Sequence, residues 1–167
     1  MSPPQGINPI PDTSLPRVFG LLEVLDDRGG KEDGYKLARE LNYNFSDLLK
    51  VMKAAEILGF VDTPRGDIVL EPLGKSFLES DINQRKLMLR ERLKQHGLFS
   101  YLVRLLRGQE DRSLPKDVIV EHLAMLLPNE NPERLFTTIV NWGRFAELFG
   151  YNKDDDRFYL DEEADKP

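Results

Sequence analysis

Three parts of the chain carry residue types that could do chemistry. "GKS" at 74–76 follows a predicted strand and opens a helix, where a phosphate-binding loop would place its lysine and hydroxyl. Such a loop needs a glycine five positions before Gly74, so that backbone N–H groups can wrap the phosphates, and that position is Val69. "EPLGKSFL" is therefore read as a strand-to-helix connection, with Leu73 and Phe77 packing inward. "NKDDDRFYLDEE" places Asn152, Asp154, Asp156 and Glu163 at positions one, three, five and twelve of a calcium loop. Its sixth position is Arg157, where a sharp turn requires glycine, and "FYL" should be extended. A solvated hairpin tip with an acidic tail is the better account. The two histidines, His96 and His122, have no second ligand at helical spacing, so they are read as capping or half-buried side chains. No cysteine is present and no nucleophile is paired with a base by position. The expectation is a protein without cofactor or metal that is not an enzyme.

The elements behind these motifs are mostly helical. Residues 1–13, with Pro3, Pro4, Pro9 and Pro11, read as an extended, flexible lead-in. Ser14 is placed as the cap of a first helix carrying Leu15, Val18, Leu22 and Leu25, which Gly29-Gly30 ends. A short helix over about 35–41 buries Leu37, Ala38 and Leu41. Ser46 is expected to cap a third helix carrying Leu48, Leu49, Met52, Ala55 and Leu58. Gly59 would close it, and Phe60-Val61 with Ile68-Val69-Leu70 would form a hairpin around a Pro/Gly/Asp turn. Three helices and a hairpin is the winged-helix order. A similar series follows: a long helical stretch over about 83–107 with Gly97 as a bend, a helix capped by Ser113, a last helix over about 132–148, and the hairpin "GYNKDDDRFYL". The phrase "AEILGF" at 55–60 returns as "AELFGY" at 146–151, which suggests a repeated unit. The fold class expected is mainly α with small β-hairpins, as tandem winged-helix-like modules. Their bounds are 14–80 and a looser 81–160, followed by an acidic tail at 161–167.

Charge narrows the partners. The chain has 167 residues and a net charge of −6, which opposes nonspecific attraction to nucleic acid. A DNA reader would use the third helix and the wing. Those offer Lys50, Lys53 and Arg65, but Asp47, Glu56, Asp62 and Asp67 stand among them, so no basic stripe forms. The most basic stretch is the connecting helix, where Arg85, Lys86, Arg90, Arg92 and Lys94 meet only Glu91. It reads either as a solvated surface or as a docking face for an acidic partner. Trp142, Phe145 and Phe149 read as core or as interface anchors. No apolar run is long enough to span a membrane, and Met1–Ser14 lacks the pattern of a secretory signal. A cytoplasmic location is expected, with no direct membrane insertion.

Several ordered blocks carry a family resemblance. "SLPRVFGLLEVLDDRGGKEDGYKLARELN", "AEILGFVDTPRGDIVLEPLGKSF", "DINQRKLMLRERL" and "VNWGRFAELFGYN" resemble the AAA-associated C-terminal domain. That domain is appended to ATP-binding subunits of the nitrate/sulfonate/taurine class of ABC importers. The resemblance covers about 14–160 and supplies no catalytic residues. It implies a regulatory or interaction module serving an ABC transporter ATP-binding subunit, in cis or in trans, with homodimerisation as one mode. It also implies a location peripheral to the inner membrane through that partner. The ATP-binding domain that usually precedes such a domain does not stand in this sequence, which leaves open a stand-alone protein or an isolated domain beginning at Met1. The leading expectation is therefore a non-catalytic module acting by protein–protein docking or dimerisation. A winged-helix DNA-binding regulator is the alternative, and a purely structural dimerisation domain the third reading.

Overall fold

The computed structural model describes residues 6–165. The chain divides into two compact units. The first is Pro11–Arg85; the second joins, of the described residues, 6–10 to 86–165. Each is mainly helical and carries one small three-stranded antiparallel sheet.

The first unit opens with α1 (Leu15–Asp27), whose Val18, Leu21, Leu22 and Leu25 are fully buried at helical spacing. Ser14 stands at the cap position, but its side chain makes no capping bond. The elements β1 (Lys31–Asp33), α2 (Gly34–Glu40), α3 (Phe45–Ile57), β2 (Val61–Asp62), β3 (Asp67–Leu70) and α4 (Pro72–Glu79) follow. The sheet order is β1-β3-β2, with Lys31 opposite Val69 and Val61 opposite Leu70. Strand β1 gives no signal in the sequence, because "KED" has no apolar alternation and is extended only through its pairing with β3. The cap of α3 is Asn44, whose Oδ1 accepts the Asp47 N–H at 2.7 Å; Ser46 lies exposed inside the first turn.

The stretch expected as one long helix is two, α5 (Ile82–Gln95) and α6 (Gly97–Arg107). The break is steric as well as local. A Cβ on Gly97 would lie 1.8 Å from the Gly6 carbonyl oxygen, so the segment leading to the buried Ile7 and Ile10 crosses where only glycine leaves room. The second unit continues with β4 (Ser113–Pro115), α7 (Lys116–Leu126), α8 (Pro132–Phe145), β5 (Phe149–Asn152) and β6 (Arg157–Leu160), in sheet order β4-β6-β5. Ser113 is thus a strand residue and no helix cap; its hydroxyl donates to Asp111 at 2.9 Å and accepts from Arg157 at 2.8 Å. The residues expected as an acidic tail contain a 3-10 turn, Glu162–Asp165, with Ala164 buried. Arg107 and Arg112 both bond Asp165. Lys166 and Pro167 lie outside the described residues.

Both units run helix, strand, helix, helix, hairpin, with the lone strand paired to the last one. Their true equivalence differs from the repeated phrase. Helix α3 ends with Leu58 in right-handed geometry and Gly59 at φ 81°, while α8 ends with Ala146 and with Glu147 at φ 54°. Phe60 N–H donates to the Ala55 carbonyl and Leu148 N–H to that of Gly143. The Phe60 and Leu148 carbonyls then accept from Glu71 and Asp161 in turn. Leu58/Ala146, Gly59/Glu147 and Phe60/Leu148 are each 88 positions apart (146 less 58), whereas the phrases are 91 apart. "AELFGY" is therefore three residues out of register with "AEILGF". The left-handed site that glycine fills in one unit is filled by glutamate in the other.

Candidate functional site

With that register, the second unit serves as an internal control on which side chains the fold itself demands. Buried positions match across it: Leu48 with Phe136, Val51 with Ile139, Met52 with Val140, Ala54 with Trp142, and Ala55 with Gly143. The outward positions do not match in character. Phe45 and Leu49 are 39% and 47% exposed, and their counterparts are Glu133 and Thr137. Aligning α2 and α7 at their first residues pairs Tyr35, 65% exposed, with Asp117. The same architecture is thus built with polar residues at all three places. The apolar choice in the first unit is not a requirement of folding.

Local structure sets these three side chains side by side. Asp33 caps α2, its carboxylate accepting from Tyr35 N–H at 2.9 Å and Lys36 N–H at 3.2 Å, which fixes the first turn. Asn44 does the same for α3, with Phe45 as its first residue. The Tyr35 and Phe45 rings stack with centroids 4.6 Å apart and planes 11° apart. Leu49 follows Phe45 by one turn on the same helix. Gly34 lets the β2–β3 turn come close: a Cβ there would be 3.1 Å from the Gly66 carbonyl oxygen. Arg65, at φ 51°, precedes that glycine. Lys36, Arg39, Lys50, Lys53 and Arg65 are all exposed, and none of their side chains makes an ion pair or hydrogen bond among the described residues. Arg28 takes Glu40, Lys31 takes Asp67 at 3.5 Å, and the Thr63 hydroxyl donates to Glu56. An apolar centre results, with these cations around it and the carboxylates of Asp47 and Asp62 among them.

Leu49 corrects the sequence reading, which put it with the inner residues. Leu48, Val51, Met52, Ala55 and Leu58 define the buried stripe, and Leu49 falls a full residue off it. Phe45 drew no notice because an aromatic residue beside a helix start passes for a core residue. The available signal was its position immediately after an Asn cap, with Leu49 four residues on.

The five basic residues of the connecting helix do not form one free face. Arg85 donates to the carbonyls of Phe77 and Leu78, both at 3.0 Å, and lies over the Phe77 ring. Lys86 binds Glu147 at 2.9 Å. Arg90 is buried and donates to the carbonyls of Ala146 at 3.0 Å and Glu163 at 3.2 Å. Lys94 faces Glu91 at 3.6 Å, and Arg92 donates to Gln95 at 3.2 Å. Trp142 and Phe149 belong to the core, each with its ring near parallel to that of Phe99, while Phe145 is half-buried. Lys50, Lys53 and Arg65, the DNA-contact candidates, remain exposed on the first unit.

The other motifs resolve locally. Lys75 binds Asp26 at 3.1 Å. Asn152 closes the β5–β6 turn by accepting from Asp154 N–H at 3.0 Å, and the Tyr151 hydroxyl donates to Asp156. Among the described residues no three His, Asp or Glu side chains converge as a metal site, and no helix is long and apolar enough to cross a membrane. His122 shares a 2.7 Å hydrogen bond with the Tyr101 hydroxyl.

His96 differs. It stands at the N-cap of α6 without a capping bond, its Nδ1 buried without a partner among the described residues. Burial pushes its pKa below the ordinary histidine range. The unfolded chain protonates near pH 6.5 while the folded imidazole stays neutral. Stability is therefore whole above that pH and drains away below it, through the lowered native pKa. The N-cap backbone is already extended, as asparagine prefers. His96→Asn is expected to stabilise the fold by about 0.5–1 kcal/mol and to flatten the loss between pH 7 and pH 5, read from paired thermal melts.

A family model, the C-terminal AAA-associated domain, matches residues 35–152. The chain belongs to that family. No curated protein and no solved structure matches it. The matched residues of this AAA-associated domain include Tyr35, Phe45, Leu49, Lys50, Lys53 and Arg65, so the exposed face lies wholly within the family region.

Proposed function

We propose that this AAA-associated domain is a non-catalytic interaction module of the ATP-binding subunit of a nitrate/sulfonate-type ABC importer. It acts by docking, through two winged-helix-like units, at a cytoplasmic site peripheral to the membrane. The observation that carries the reading is the exposed Tyr35, Phe45 and Leu49 cluster, where the second unit keeps Asp117, Glu133 and Thr137. Apolar side chains left in solvent where the fold does not require them mark a contact surface. Membership of an ATPase-associated family supports the choice of partner. Docking would bias the nucleotide-binding subunits only through unequal contact with their open and closed arrangements.

The test is ATP hydrolysis by such a subunit with and without the domain. The wild-type chain is expected to change the rate, and a Phe45→Glu, Leu49→Thr double variant to leave it unchanged while remaining folded. Equal effects from both proteins would defeat the reading.

A DNA-binding regulator is the second reading, favoured by the unpaired Lys50, Lys53 and Arg65. Base edges call for hydrogen-bonding side chains, and α3 sets the apolar Phe45 and Leu49 among its outward lysines. Tight, salt-dependent retention on duplex DNA at physiological salt would reverse the order of the two. Self-association without any effect on ATP hydrolysis would favour the purely structural dimerisation domain.

A further inference from the structure

We infer that the α2–α3 face receives an acidic amphipathic helix, supplied by the docking partner; this deepens the docking reading and rests on it. Two features, apolar spacing and charge, point to the same occupant.

Phe45 and Leu49 are four residues apart on one helix, about 6 Å along its axis, and the Tyr35 ring extends the platform beside Phe45. A partner helix with apolar side chains at i, i+3 or i+4, and i+7 presents the same repeat. Phe45 and Tyr35 each cover one ring face of the other, so the two rings stand together as one exposed aromatic block.

Cations with free side chains surround this centre on a chain whose net charge is −6, with Asp47 and Asp62 standing among them. Lys36 adjoins Tyr35, Lys50 and Lys53 follow Leu49 along α3, and Arg65 heads the turn that reaches Gly34. At the counterparts of Lys36, Lys50 and Lys53 the second unit carries Val118, Thr138 and Asn141. These three cations, like the apolar centre, have no charged or apolar match of the same kind in the second unit. Asp47 and Glu56 are the carboxylates on the same helix, and Glu56 accepts from Thr63. Rim charges of this kind set encounter rate and select the sign of the partner.

The experiment uses the full chain and three fluorescent synthetic peptides of about 18 residues. One is an amphipathic helix with leucines on one face and glutamates flanking it. The second replaces every glutamate with lysine, and the third is a scramble of the first. Fluorescence anisotropy is expected to show the acidic helix binding at least about ten-fold more tightly than either control, weakening with added salt. Phe45→Glu with Leu49→Thr should remove that preference, and Lys50→Glu with Lys53→Glu should shift it toward the lysine peptide. Equal binding of acidic and basic helices, no binding of any peptide, or tighter binding to duplex DNA or to anionic vesicles would each overturn the inference. The docking reading itself would fall separately, if the Phe45→Glu, Leu49→Thr protein still altered ATP hydrolysis as the wild type does.

Discussion

Trp142→Ala is expected to lower stability by about 3–5 kcal/mol, among the largest losses any single truncation should produce here. Trp142 is fully buried on α8 and faces Phe99, their rings 6.3 Å apart and 12° from parallel. Phe99 in turn stacks on Phe149 at 5.9 Å, and Phe149 meets Phe158 at 4.8 Å, so one indole anchors a run of aromatics linking α6, α8 and the sheet. Beside Trp142, a Cβ on Gly143 would come within 2.8 Å of the Phe149 Cβ, so the strand is packed directly on the helix and has little freedom to collapse into a cavity. Urea unfolding followed by circular dichroism measures the loss, with an unchanged slope indicating that the folded state stays compact. The outcome also separates the two roles open to this residue in the sequence. An interface anchor would leave monomer stability nearly unchanged and reduce self-association instead.

How much was legible follows from which signals are local. Helical periodicity marks α1, α3 and α8, because one face of each must be apolar to cover a core. Strands β1 and β4 were invisible because each is three residues long and gains its conformation from β3 or β6, which are distant in sequence. Ser113 and Pro115 imitate a cap and a first turn, and the pairing of β4 with β6 overrides that local preference. At the break between α5 and α6, Gly97 is hemmed in by Gly6, some ninety residues away along the chain. The basic stretch on α5 shows the same limit. Composition counts Arg85 and Arg90 as surface charge, but their guanidiniums end on backbone carbonyls that only the folded chain brings near.

The candidate face was hidden for a different reason. Phe45 and Leu49 are apolar, and single-sequence reasoning assigns apolar residues inward by default. Recognising them as outward needed both the true helical stripe and a second unit in correct register. The repeated phrase gave the wrong register: at 91 positions Phe45 would align with buried Phe136, and the contrast with Glu133 would vanish.

Gly74→Ala provides the sharpest test of how "GKS" is used. The residue lies inside α4, where exposed-helix propensity alone predicts that alanine gains about 1 kcal/mol over glycine. The packing predicts the opposite sign. A Cβ at this position would stand 2.4 Å from the Phe60 carbonyl oxygen and 2.8 Å from a Leu70 methyl carbon. That carbonyl cannot retreat freely, because it accepts the Glu71 N–H at 2.8 Å and so ties the start of β2 to the start of α4. Beneath it, Phe60 and Phe77 pack with ring centroids 4.7 Å apart, and both are fully buried. Overpacking against backbone is expected to cost about 1–3 kcal/mol, lowering the denaturation midpoint rather than raising it. Lys75→Met should by contrast change stability little, since its pair with Asp26 is largely solvent-exposed. A phosphate-binding role would reverse the pattern, with Lys75 the sensitive position and added nucleotide raising the melting temperature. If Gly74→Ala stabilised the protein, the close approach of α4 to the Phe60 carbonyl would be refuted, and with it the structural explanation of the motif.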